Sequence, residues 1–359
     1  MKKKLLALLL ACGMVFALAA CGNDTADATP TPDATQTETP STETPETETP
    51  ETPTYEPATV RVAYMPNLGS ASSLFTAIHQ GYFEEVGLTV ETYQFSGGPA
   101  EISAMGSGDI DISQIGHGAH SLCIQGQAVV FAFDQLSQAD AVVANKARGI
   151  ETGADLAGKT VAVSSGTSSE IILQFVLADA GLTMDDINTV EMNVEGMTTA
   201  ILSDQIDAAA TWSPNTITIQ EGLGENYVVL GTNNDYTDQA AFPSSFITTT
   251  EYAEANHDVL VRFSQAILKA QVYRNEHIDE VAVMLAKELE APEETMLSAT
   301  GEGNWQDAVD TMGDYETIKA YYAAQQQVFL NNGAVTEEVP VENYVLFDVM
   351  EEAYNNYNG

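Results

Sequence analysis

Ile110-Asp111-Ile112-Ser113-Gln114-Ile115-Gly116-His117-Gly118 reads as a short β-strand that stops at a pair of glycines, and it is the third occurrence of one unit. The first is Val60-Arg61-Val62-Ala63-Tyr64, ended by Met65-Pro66-Asn67 and followed by a helical run through Leu74, Phe75 and Ile78. The second is a strand over residues 88–95, the turn Ser96-Gly97-Gly98-Pro99 and a helix containing Ile102 and Met105. Strands alternating with helices argue for parallel sheets with crossover helices. In such sheets ligands bind beyond the carboxyl ends of the strands, where backbone must come close. Glycine suits that position, since it lacks Cβ and lets main-chain N–H groups face a ligand. Any one of these glycines could simply serve a tight connection, but three loops of the same kind in register point to a pocket. The loops at Met65-Pro66-Asn67, Ser96-Gly97-Gly98-Pro99 and Gly116-His117-Gly118 are the candidates to line it from this half.

A second module opens near Thr152. Asp155-Leu156-Ala157-Gly158-Lys159-Thr160 leads into the strand Val161-Ala162-Val163, then Ser164-Ser165-Gly166-Thr167-Ser168-Ser169-Glu170. Thr167 and Glu170 have capping-box spacing, and a helix start rich in hydroxyls and free N–H groups can seat an anion. Some of these hydroxyls serve only as caps; Ser164, Ser165, Gly166, Thr167 and Ser168 are the candidates for contact. A strand at residues 189–192, a helix at 197–202 and a strand ending in Thr211-Trp212-Ser213-Pro214 follow. Trp212 at a strand end can cover one side of a ligand or close the core, and the pocket is the favoured reading.

Four phrases carry a family resemblance: Gly81-Tyr82-Phe83-Glu84-Glu85-Val86-Gly87-Leu88, Ala104-Met105-Gly106-Ser107-Gly108-Asp109-Ile110-Asp111, Asp155-Leu156-Ala157-Gly158-Lys159 and Ile206-Asp207-Ala208-Ala209-Ala210-Thr211-Trp212. They resemble the solute-binding proteins of nitrate, sulfonate and taurine ABC importers over most of residues 58–275. That resemblance implies a periplasmic-binding-protein type II fold: α/β, two lobes each with a mostly parallel sheet flanked by helices, and two hinge crossovers. Lobe one would take residues 58–145 and 246–359, lobe two residues 146–245, with strands at 141–144 and 246–249 crossing the hinge. From Glu254 onward the apolar spacing of Leu260, Phe263 and Ile267, then Ile318, Tyr321 and Tyr322, is helical and should pack back on lobe one. The implied function is capture of a small molecule between the lobes and delivery to ABC permease subunits, by a monomer without cofactor.

The first 57 residues are of a different kind. Lys2, Lys3 and Lys4 precede an apolar run of about 16 residues, which is short of the roughly 20 needed for a permanent span and suits a signal segment, residues 1–20. Leu18-Ala19-Ala20-Cys21-Gly22 resembles the bacterial lipobox, so Cys21 is expected to be lipidated and to hold the protein on the outer face of the cytoplasmic membrane. Residues 21–57 hold seven of the chain's 13 prolines among Thr, Glu, Asp and Ala, too polar to form a core, and read as a tether.

Residues 58–359 carry nine Lys and Arg against 43 Asp and Glu, a net of −34, which repels nucleic acid. Cys123 is the one cysteine there, so neither an internal disulfide nor a cysteine-rich metal cluster can form. His117 and His120 lack companion ligands for a metal. The fungal pyrimidine-synthesising enzymes of similar fold act through a cysteine-rich motif that is missing here, and no Gly-x-Ser-x-Gly or His-Glu-x-x-His motif is present, so no enzyme is expected. Arg61, Lys146, Arg148 and Lys159 are the only cations of the first 200 residues past the tether, none in an expected pocket loop. A sulfonate-like solute ranks first; a pyrimidine precursor of thiamine, stacking on Tyr64, Phe95 or Trp212, is the alternative, and a passive surface lipoprotein the alternative from another class.

Overall fold

The computed structural model describes residues 55–357; the expected signal, the Cys21 lipidation site and residues 21–54 of the expected tether lie outside them. The described chain begins pinned to one side chain. Arg262 donates through Nη1 to the carbonyls of Glu56 (3.1 Å) and Val86 (2.8 Å), and its guanidinium lies 5.5 Å from the centre of the Tyr55 ring.

Among the described residues eleven strands form two sheets. The first sheet receives β1 (Ala58–Tyr64), β2 (Leu88–Gln94), β3 (Ile112–Ile115) and β4 (Val129–Ser137). The chain then crosses to build the second from β5 (Asp140–Asn145), β6 (Thr160–Val163), β7 (Asn188–Glu191), β8 (Ala208–Trp212) and β9 (Tyr227–Thr232). It returns for β10 (Pro243–Thr248) and β11 (Gly303–Asn304). The strand orders are β11-β4-β10-β3-β1-β2 and β7-β6-β8-β5-β9.

Two expectations are corrected here. Both sheets are mixed rather than mostly parallel: β1 pairs parallel with β2 and β3, and β6 with β7 and β8, but β10 lies antiparallel between β3 and β4, and β5 antiparallel between β8 and β9. A strand that enters a lobe from the other one runs against the parallel strands of the lobe it joins. The second correction concerns the hinge. Residues 141–144 do not cross it, because Ala141-Val142-Val143-Ala144 is paired on both edges and wholly buried inside the second sheet. A continuous apolar run of that kind belongs in a sheet interior. The crossings lie at residues 138–139 and 233–242, and residues 246–249, expected at the hinge, fall within and just after β10 of the first sheet.

Amphipathic helices cover the sheets. In the His257–Glu276 helix Leu260, Phe263 and Ile267 recur with helical spacing and are all but fully buried. The Phe263 ring meets Phe83, Phe131 of β4 and Phe246 of β10 at centroid distances of 4.8, 5.8 and 5.3 Å, so this returning helix packs on the first sheet. Each such ring contributes about 1.5–3 kcal/mol by leaving water. In the second lobe the Ser168–Asp179 helix lays Ile172, Leu173 and Val176 on one face of the sheet, and the Val194–Leu202 helix lays Met197 and Ile201 on the other. Behind the carboxyl ends of the first sheet lies a buried ion pair. Arg274 donates to Asp134 (3.0 Å) and Ser72 (3.0 Å), and its guanidinium faces the Trp305 ring at 4.6 Å.

Candidate ligand-binding site

The loops that end β1, β3, β6 and β8 converge on one cleft, of about 500 Å³ counted to its open mouth. Asn67 ends the first loop and caps the Leu68–His79 helix, its Oδ1 accepting from the Ser70 N–H at 2.8 Å. Gly98 starts the helix after β2, Gly116 ends β3, Thr167 and Ser168 start the helix after β6, and Trp212 ends β8. These six of the expected contact residues line the cleft.

The other expected residues stand elsewhere. Tyr64 is buried edge-on against Phe75, ring centroids 5.0 Å apart, and forms core. Pro66 and Gly97 flank lining residues without lining the cleft themselves. His117, 1% exposed, lies behind the wall, with Nε2 at 3.2 Å from Asp140 Oδ2 and 3.3 Å from Asn233 Nδ2. Ser165 is bound through N–H and Oγ to the Glu191 carboxylate, Gly166 donates to Glu170 Oε2 at 2.7 Å, and Ser164 accepts at its carbonyl from Thr167 Oγ1 at 2.6 Å. The expected capping box therefore does not form. Glu170 closes on Gly166, and Thr167 turns its hydroxyl back to Ser164, leaving the first-turn amides of the Ser168–Asp179 helix without a side-chain cap.

Sequence reasoning missed Gln114, Gln135, Ser137, Asp140 and Ser244, all in the lining. A signal was present: each is a polar residue inside or abutting an apolar strand, as in Ile112-Ser113-Gln114-Ile115 and Asp140-Ala141-Val142-Val143. Gln114 Nε2 donates to Asp134 Oδ2 at 2.9 Å, which ties the cleft floor to the Arg274–Asp134 pair. Asp140, 3% exposed, receives Asn233 Nδ2 at 3.2 Å and Ser137 Oγ at 3.3 Å on Oδ2. It is the one ionisable side chain lining the cleft among the described residues. Arg274, linked to the floor through Asp134, is paired with that carboxylate, and the cations of the preceding sequence are engaged elsewhere: Arg61 with Asp111, Arg148 with Asp207, Lys146 with Glu151, and Lys159 with the Arg148 carbonyl.

The two lobes touch across the mouth. Gly118 N–H donates to Ser168 Oγ at 3.2 Å, and Asn332 Nδ2 to Gln174 Oε1 at 2.7 Å. The approach needs glycine. A Cβ on Gly118 would stand 2.2 Å from the Thr167 carbonyl carbon, and one on Gly116 would stand 2.6 Å from Ser168 Oγ.

The family model described as NMT1/THI5 like matches residues 70–280. A protein of Brucella abortus (strain 2308), provisionally named a binding protein, is 29% identical over 292 residues, 80% of this chain and 90% of that protein. A Bacillus subtilis (strain 168) protein, provisionally named as binding aliphatic sulfonates, is 26% identical over 223 residues, 59% of this chain and 65% of that protein. Among solved structures, the alkanesulfonate-binding protein SsuA of Xanthomonas axonopodis pv. citri, bound to MOPS, superposes with a TM-score of 0.66 at 20% identity, covering 81% of this chain and 99% of its own. The two-lobed fold is thus that of periplasmic binding proteins.

Proposed function

The chain belongs to the NMT1/THI5-like family, and from that membership we propose that it is the extracytoplasmic solute-binding component of an ABC importer. It captures a small solute between its lobes and presents the closed form to the permease subunits. One observation carries this reading: loops from the carboxyl ends of both sheets meet over a single cleft, with a glycine seam where the lobes come together. Contacts to both lobes exist only when the cleft is shut, so a solute that makes them shifts the population toward closure.

The relatives named for sulfonates put an aliphatic sulfonate-like solute first. The cleft supports an anionic end of that kind without a cation. The Gly98 N–H and the uncapped first turn of the Ser168–Asp179 helix offer neutral donors and the positive end of the helix dipole. The protein works as a non-catalytic monomer held at the outer face of the membrane through Cys21. Trp212 on the cleft wall favours, as second reading, a pyrimidine solute that stacks on its ring.

Thermal unfolding against taurine, short alkanesulfonates, nitrate and aminopyrimidines tests the proposal. A solute at 100 times its Kd adds about 2.7 kcal/mol, an upward shift of several degrees. No shift with any solute, on protein confirmed ligand-free by mass spectrometry, would favour a passive surface lipoprotein.

A further inference from the structure

The floor and hinge side of the cleft ask for a group that the helix starts do not. Gln114 is 1% exposed, and its amide orientation is fixed because Nε2 donates to the Asp134 carboxylate. Its Oε1 is thereby left as a buried acceptor without a donor. The Asp140 carboxyl offers a second acceptor in the same cleft. His117, Ser137 and Asn233 all approach Oδ2, leaving Oδ1. No positive charge competes for it: no Lys or Arg lines the cleft, and the neighbouring Glu302 carboxyl is pushed up to about 7, by burial first and by Asp140 in addition. A buried acceptor left unpaired costs about 1–3 kcal/mol, so a solute that supplies donors there is selected over one that does not.

We propose that the captured solute carries a cationic nitrogen whose N–H groups meet the Asp140 carboxylate and Gln114 Oε1, so that the cleft prefers an aminated solute to its amine-free counterpart. This rests on the solute-binding reading above and narrows it. With an anionic end at the Gly98 and Ser168 amides, the solute is a zwitterion. Trp212, which lines the same cleft, adds an aromatic face of the kind that attracts cations.

Calorimetric titration of the full-length protein in mild detergent with matched pairs decides the matter: taurine against isethionate, 3-aminopropanesulfonate against propanesulfonate, and 2-aminomethylpyrimidine against 2-methylpyrimidine. The expected result is that, in each pair that binds, the amine-bearing member binds at least about tenfold tighter, as a charge-assisted hydrogen bond implies. Asp140→Asn, with its fold checked by circular dichroism, should bring that ratio near one. Should the variant fail to fold, the wild-type ratios still decide. Equal binding within a pair by the wild type overturns the cationic nitrogen while solute capture stands. A tenfold preference that persists in Asp140→Asn overturns the assignment to Asp140. Silence from all six compounds, while nitrate still raises Tm, overturns the inference and leaves solute capture standing; silence together with no thermal shift from any solute overturns both. An amine preference in the pyrimidine pair alone supports the inference and removes the sulfonate.

Discussion

Glu101 shows how a single buried side chain writes itself into the behaviour of the whole molecule. Its carboxyl is fully buried beneath the Gly98–Gly106 helix start, with the Ser113 hydroxyl donating to one oxygen and nothing to the other. Burial pushes it up to about 8, against 4.5 for the free group. The folded state therefore holds one proton more than the unfolded state between those values, and stability falls as pH rises through that window, by at most about 1.4 kcal/mol per pH unit. Glu101→Gln should flatten this part of the Tm-against-pH curve and raise Tm at pH 8 relative to wild type; parallel curves for the two proteins would contradict it. The Arg274–Asp134 pair makes a second prediction. Arg274→Met leaves Asp134 buried with its charge uncompensated and should lower stability by about 3–5 kcal/mol in chemical denaturation. Replacing Asp134 by Leu as well should restore much of the loss, since a buried ion pair is often replaceable by apolar volume.

At the scale of elements, the loop after β3 and the helix start after β6 make the seam at which the lobes meet. Gly118 has an ordinary backbone conformation, so Gly118→Ala is tolerated locally, but its methyl group would collide with the Thr167 backbone of the other lobe. The lobes can avoid the clash by staying apart. The expected outcome is a free-protein Tm close to wild type, solute affinity reduced tenfold or more, and a scattering radius that does not shrink on adding solute. Full affinity in Gly118→Ala would show that this contact plays no part in closure.

The strand-loop-helix units were legible in the sequence for a physical reason. Apolar runs such as Val60-Arg61-Val62-Ala63-Tyr64, punctuated by Pro66, Gly97-Gly98 or Gly116, encode local structure within a few residues of themselves. Asn67, Gly98, Gly116, Thr167, Ser168 and Trp212 could be found because each sits at the end of such a unit. What the sequence hid is long-range. Asp140 reaches the cleft only because β5 is inserted between β8 and β9, and Ser244 only because β10 returns between β3 and β4. Tyr64 misled because a strand-end aromatic can face either side of its sheet, and this one meets Phe75. Thr167 and Glu170 have the spacing of a capping box, but the preceding Gly166 offers its N–H to the same carboxylate and takes it.

At the scale of the whole molecule, the fold is a pair of mixed sheets joined by two crossings, at residues 138–139 and 233–242, and the cleft lies where both sheets present their loops. Asp140 stands directly after the first crossing and Asn233 at the start of the second, and they are bonded to each other: Asp140 N–H donates to Asn233 Oδ1 at 2.7 Å and Asn233 Nδ2 to Asp140 Oδ2 at 3.2 Å. One residue that lines the solute cleft is thus fastened to both connections between the lobes. Asn233→Ala should accordingly weaken solute binding several-fold while leaving each lobe folded, read as a lower affinity with unchanged circular dichroism.

Whether a small solute is held between the lobes is decided by a crystal structure with the solute that gives the largest thermal shift. Solute density is expected in the cleft between Gln114, Asp140 and Trp212, with Gly118 in contact with Ser168. Solute density seated elsewhere, for example in the apolar cavity beside Phe133 and Met350, with the interlobe cleft holding none, would contradict it.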